Sequence, residues 1–108
     1  MARGDLSWPL ARAASLYGDA PAVGGLTYAE LARRVGALGA ALEGERIGWL
    51  GANSPAHLEA WLPVPAFGRV LVDLNFRLAP EELEFMAADA GIEVLVADQE
   101  RLDVARRL

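Results

Sequence analysis

Residues 47–62 read IGWLGANSPAHLEAWL. The first four, Ile47–Leu50, are apolar and bounded by Gly51, the pattern of a short strand buried on both faces. Ser54 and Pro55 follow as helix cap and first helical residue. They open a helix that places Leu58, Trp61 and Leu62 on one side. Pro63 and Pro65 cannot both lie inside a regular helix, since each removes a donor at a cost of ~3 kcal/mol. That helix therefore stops or kinks near Leu62. The unit is strand, tight turn, helix.

The same alternation continues downstream. Val70–Leu74 is a second strand. Pro80 starts another helix, with Glu81 and Glu82 favourably placed in its positive first turn, Leu83, Met86, Ala87 and Ala90 facing inward, and Gly91 ending it. Ile92–Ala97 is a third strand, and Asp98 caps a last helix carrying Leu102, Ala105 and Leu108. The strand starts fall 23 residues apart from Ile47 to Val70 and 22 from Val70 to Ile92, without any repeat of residue identities. This spacing predicts an α/β fold: a βαβαβ parallel sheet of about three strands, right-handed crossovers, and helices on both faces.

Upstream, Thr27 and Glu30 have the spacing of a capping box, and Leu26 with Leu31 that of a hydrophobic staple. Tyr28, Leu31, Val35, Leu38 and Leu42 form one apolar stripe. A helix is expected over about 27–43, with Gly44 at its C-terminal cap. One more helix near Ser7–Tyr17 and a short edge strand near Ala22–Gly24 complete the reading.

With 108 residues the chain is one domain. Hydrophobic residues make up 54% before 11 Gly are added, above the roughly 45–50% of ordinary domains. No run of ~18 apolar residues exists, so no membrane span is expected. The apolar excess predicts a sheet covered on both faces and a surface normally hidden by something else. Trp8, Trp49, Trp61 and Phe76 are the candidates for that surface, and self-association of the chain follows as an expectation. The formal net charge is -5, and every cation is Arg. Without a basic cluster such a chain is a poor nucleic-acid binder. The absence of Cys removes disulfides, thiolate catalysis and Cys-based zinc sites. The N-terminus lacks the apolar core of a secretory signal, so a soluble, cytoplasmic protein is expected.

Candidate chemistry is sparse. Gly48 and Gly51 fall short of the G-x-G-x-x-G dinucleotide fingerprint; a tight strand-to-helix turn, with Asn53 and Ser54 satisfying backbone donors, explains them better. His57, the only His, has Glu59 beside it but no nucleophile in sequence, and reads as a surface or interface residue. Ser7, Ser15 and Ser54 lack a nucleophile-elbow context. Asp73 interrupts an apolar strand, either pointing to solvent or bonding the Asn75–Arg77 turn. Glu81, Glu82 and Glu84 read as a solvated acidic patch. Arg77 is the one cation placed near a strand's carboxyl end, where open α/β sheets bind ligands.

Three stretches in order, LTYAELARRVGALGAAL, IGWLGANSPAHLEAWL and GRVLVDLNFRLAPEELEFMAADAGIEVLVAD, resemble the N-terminal end of the AMP-forming adenylate enzymes, above all the fatty-acid or carboxylic-acid CoA ligases. The resemblance runs from about Ala20 to Asp98. It implies that 1–108 is a single α/β subdomain, the N-terminal fragment of a longer acyl-CoA synthetase whose remainder is its partner. That enzyme would activate a carboxylic acid with ATP to an acyl-adenylate and pass the acyl group to CoA, with magnesium accompanying ATP. The connection LEGERIGWL is shorter than the family's usual one. The family's Ser/Thr/Gly-rich phosphate loop and catalytic Lys have no counterpart among these residues. No catalytic, cofactor-binding or metal-binding role is therefore carried onto any residue here, and the fragment alone is expected to be inactive. The alternative from the residues is a self-standing, non-catalytic α/β dimerisation or interaction module.

Overall fold

The computed structural model describes residue 6 and residues 8–108. Ser7 lies outside the described residues. Helix α1 (Trp8–Tyr17) leads to a hairpin of β1 (Pro21–Val23) and β2 (Leu26–Thr27), then to α2 (Tyr28–Ala41), β3 (Arg46–Leu50), α3 (Pro55–Trp61), α4 (Pro63–Ala66), β4 (Val70–Leu74), α5 (Pro80–Ala90) and β5 (Val94–Ala97). A 3-10 turn over Gln99–Arg101 and the short α6 (Leu102–Ala105) end the described fold.

The main sheet has the order β4-β3-β5, with both pairings parallel. Its register aligns Leu50 with Leu74 on one side and with Ala97 on the other, so the three strands end level. Side chains alternate across the pleat. One face packs Leu50, Leu74, Val72, Leu95 and Ala97 against Leu83 of α5 and Val104 and Ala105 of α6. On the other, the Trp49 ring lies parallel to His57 of α3. Helix α2 packs outside α3 and α4, and its Leu31 and Val35 share a second core with Leu10 and Leu62. The parallel sheet with helices on both faces is as the spacing predicts. No helix among the described residues is long and apolar enough to cross a membrane.

Local chemistry accounts for most boundaries. Thr27 Oγ1 accepts from the Glu30 N–H at 3.2 Å and Glu30 Oε1 accepts from the Thr27 N–H at 3.0 Å, closing the capping box. Pro63 begins α4 directly after α3, so both prolines fall in a first turn, where no intrahelical donor is missed. Gly91 ends α5 at φ +68, in the left-handed region.

Several details differ from the sequence reading. Helix α2 ends at Ala41 with Leu42 as its cap, and Gly44 sits beyond it in the connection. The segment near Ala22–Gly24 pairs with Leu26–Thr27 through a Gly24–Gly25 turn rather than joining the main sheet, because both glycines adopt positive φ and reverse the chain at once. In α3 the buried residue is Ala60, while Leu58 is exposed. Met86 likewise faces outward, leaving Leu83 and Ala87 as the buried residues of α5. The last helix is only a 3-10 turn and four residues, with Leu102 and Leu108 exposed, and Asp98 makes no side-chain cap to it. Trp49 is 3% exposed, and Trp8, Trp61 and Phe76 are half-buried. The outward large apolar residues are instead Leu6, Leu16, Tyr17, Phe67, Val70 and Phe85.

Candidate functional site

Because β3, β4 and β5 run parallel and end level, the residues just past their carboxyl ends meet along one edge. From β3 comes Gly51, where a Cβ would lie 2.7 Å from Asp98 Oδ2 and 2.7 Å from Trp49 Cζ2. Gly48 is equally confined, since its Cβ would meet Ile92 Cδ1 at 2.8 Å. The two glycines serve close packing and a tight turn.

From β5 comes Asp98. Its Oδ2 accepts from the Ala52 N–H at 3.1 Å and from Arg101 Nη1 at 2.9 Å, so one carboxylate ties the β3–α3 turn to the 3-10 turn after β5. The Arg101 guanidinium carbon in turn stands 4.1 Å from the centroid of the Phe76 ring, just past β4. This is cation–π distance, and it links all three strand ends.

Asn75 Oδ1 accepts from the Arg77 N–H at 3.1 Å, an Asx turn that fixes the backbone there. The Arg77 guanidinium carbon lies 5.0 Å from the same Phe76 centroid. Arg101 is ion-paired with Asp98 at 2.9 Å and approached by Glu100 at 3.6 Å. Arg77 is exposed and, among the described residues, has no carboxylate within ion-pair distance. Sequence reasoning placed Arg77 at this edge and missed Arg101 and Asp98.

A second cluster lies beside it. His57 Nε2 is 2.9 Å from Asp73 Oδ1 and His57 Nδ1 is 3.1 Å from Asn53 Oδ1. The imidazole stacks on Trp49 with centroids 4.9 Å apart and planes 8° off parallel. His57 is half-buried and joins α3 to β4, while Asp73 is exposed on the edge strand β4, one of the two expected roles, and its carboxylate meets His57 rather than the Asn75–Arg77 turn. Asn53 likewise serves the imidazole rather than a backbone donor. A cavity of about 200 Å³ is lined by Asn53, Ser54, His57, Leu58, Trp61 and Asp73. With both ring nitrogens engaged, and Ser54 Oγ accepting from the His57 N–H at 3.2 Å, this arrangement stiffens the fold and presents no activated nucleophile.

The remaining candidates are also placed. Glu82 Oε1 accepts from the Ala79 N–H at 3.2 Å. Glu81 and Glu84 approach Arg107 at 3.7 and 3.3 Å, so the acidic patch is partly paired rather than merely solvated. A larger cavity of about 420 Å³ includes Glu84, Glu93 and Arg107 in its lining but lies away from the carboxyl edge. Ser15 is exposed on α1. No group of three His, Cys, Asp or Glu that could hold a metal ion occurs among the described residues.

Comparison with known proteins agrees with this architecture. The chain is 41% identical over 111 residues to a feruloyl-CoA synthase from Amycolatopsis, covering 94% of this chain and 23% of that relative. The N-terminal domain of FACL13 from Mycobacterium tuberculosis superposes with a TM-score of 0.82 at 25% identity, covering 95% of this chain and 29% of that one. VinN superposes with a TM-score of 0.85 at 27% identity, over 96% of this chain and 29% of its own. The chain therefore spans about a quarter of the length of the proteins it matches. The model of the AMP-binding enzyme family matches residues 10–108. A level-ended parallel sheet, a glycine-tight first crossover and this match over nearly every residue together make the chain a member of the AMP-binding enzyme family.

Proposed function

We propose that residues 1–108 form the N-terminal scaffold of a carboxylic acid–CoA ligase and present Arg77 to a phosphate group of one of its co-substrates. The observation that carries the reading is the likeness to feruloyl-CoA synthase over 94% of the chain. In such a ligase the acid's carboxylate attacks the α-phosphate of ATP and expels pyrophosphate; the CoA thiol then displaces AMP from the acyl-adenylate.

The part this segment takes follows from its donors. Adenylation develops charge on phosphate oxygens, so the site must supply several preorganised cations and N–H groups. At the carboxyl edge only Arg77 offers an uncompensated charge among the described residues, which suits one phosphate contact and not a cradle. The sheet supports the edge, and residues beyond this segment supply the chemistry. Magnesium belongs with those residues too.

The isolated chain, given ATP, magnesium and a panel of fatty and aromatic acids, is expected to release pyrophosphate no faster than a boiled control. Turnover above that control, abolished by Arg77→Ala, would overturn the scaffold reading.

A further inference from the structure

We propose that Phe76 is a positioning residue: its ring holds the Arg77 guanidinium in place for phosphate, while Asp98 offsets the charge of the competing Arg101. This rests on the reading of Arg77 given above.

Two guanidinium groups lie over the one Phe76 ring, at 4.1 Å for Arg101 and 5.0 Å for Arg77. Like charges so placed repel unless one is compensated. Asp98 compensates Arg101, and it is fixed in turn by the Ala52 N–H. Arg101 is mostly covered, with its side chain 20% exposed, and Phe76 packs against the Leu50–Leu74–Leu83 core. The ring is therefore held from beneath by apolar packing and from the side by an arginine already paired with Asp98. Arg77 meets that ring with its backbone fixed by the Asn75 turn. An exposed arginine otherwise loses considerable rotamer freedom on binding an anion. Resting on a fixed ring removes part of that freedom beforehand, so binding a phosphate costs less ordering.

The test uses the 108-residue chain, titrated by NMR with ATP, CoA and pantetheine, the last having CoA's thiol arm without its phosphates. In the free protein the Arg77 side-chain protons are expected upfield of their position in Phe76→Leu, from the ring current. ATP or CoA, whichever supplies the phosphate, should bind while pantetheine does not, and Arg77→Ala should abolish the difference. Phe76→Leu should weaken that binding about two- to fivefold, the worth of one exposed cation–π contact, and Phe76→Tyr should restore it. Pentafluorophenylalanine at position 76 keeps the ring's shape and reverses its charge distribution, so it should weaken binding without unfolding the core. No upfield shift, or unchanged binding in the fluorinated protein, would overturn the role of Phe76 alone. Absence of phosphate-dependent binding, or binding indifferent to Arg77→Ala, would overturn the reading of Arg77 itself.

Discussion

The two ends of the parallel sheet carry similar side chains and use them differently. At the amino end Arg46 Nη1 donates to the Ala90 carbonyl at 3.0 Å, and Glu93 Oε1 accepts from the N–H groups of Glu45 and Arg46 at 3.0 and 3.1 Å. Both charged groups are turned inward onto backbone and hold the strand starts together. At the carboxyl end Asp98 and Arg101 close a similar bridge, but Arg77 is left over. Asp98 Oδ1 and Trp49 Nε1 are also buried there without a partner among the described residues. One edge is finished by its own residues; the other retains unspent donors and acceptors. An open α/β sheet takes its ligands at the second kind of edge.

Both edges hang on one core, and the largest effect is expected there. Leu83 is 2% exposed and packs with Leu50 and Leu74 across one face of the sheet. Leu83→Ala should cost about 2–5 kcal/mol, the range for deleting a buried leucine side chain. Urea unfolding followed by Trp fluorescence measures it. A loss below about 1 kcal/mol would mean that α5 contributes little to the sheet, and that the two edges are not supported in common.

Next comes Gly51→Ala, which separates the edges. The new methyl group would stand 2.7 Å from both Asp98 Oδ2 and Trp49 Cζ2, so either the carboxylate or the indole must move. Strain of this kind costs about 1–3 kcal/mol. The Asp98–Ala52 bridge should break while the Glu93–Arg46 contacts at the far end persist. Amide hydrogen exchange would show this as lost protection at Ala52 with protection retained at Arg46. Equal loss at both ends would erase the distinction between the edges.

How much of this was legible in the sequence depends on range. Thr27 with Glu30, Ser54 with Pro55 and Pro80 through Gly91 are local devices, each satisfied within a few residues, and each lies where its spacing places it. The His57–Asp73 pair and the stacking of Arg101 on Phe76 span a crossover, and no local pattern states them. Strand register could have found them. Aligning the last apolar residues of the three strands, Leu50, Leu74 and Ala97, sets the residues that follow side by side, which brings Gly51, Asn75 and Asp98 to one edge. Likewise Trp49 aligns with Asp73, so a helix-borne His over Trp49 is within reach of that carboxylate. Asp98 was misread because an Asp before a helical pattern usually caps it. Here the Ala52 N–H, delivered by the first crossover, and the Arg101 guanidinium take its carboxylate instead.

The smallest effect is expected at the finished edge and concerns pH. The backbone N–H groups of Glu45 first, then Arg46, hold the Glu93 carboxyl below its ordinary value of 4.5. A carboxyl whose folded value is depressed contributes stability that is present above its unfolded value and lost as pH falls through the folded one. Glu93 should therefore support the amino edge at neutral pH and cease to do so in acid. Glu93→Gln keeps the shape and can still accept one N–H bond, but has no proton equilibrium. The wild-type and Glu93→Gln unfolding midpoints should differ most at neutral pH and converge as pH falls through the depressed Glu93 value. Glu30, depressed chiefly by the Thr27 N–H, titrates over the same range in both proteins and so cancels in the comparison. Two parallel curves from neutral pH to acid would show that the Glu93 bridge carries no charge-dependent stability, leaving the amino edge held by the Arg46–Ala90 contact and the strand pairing alone.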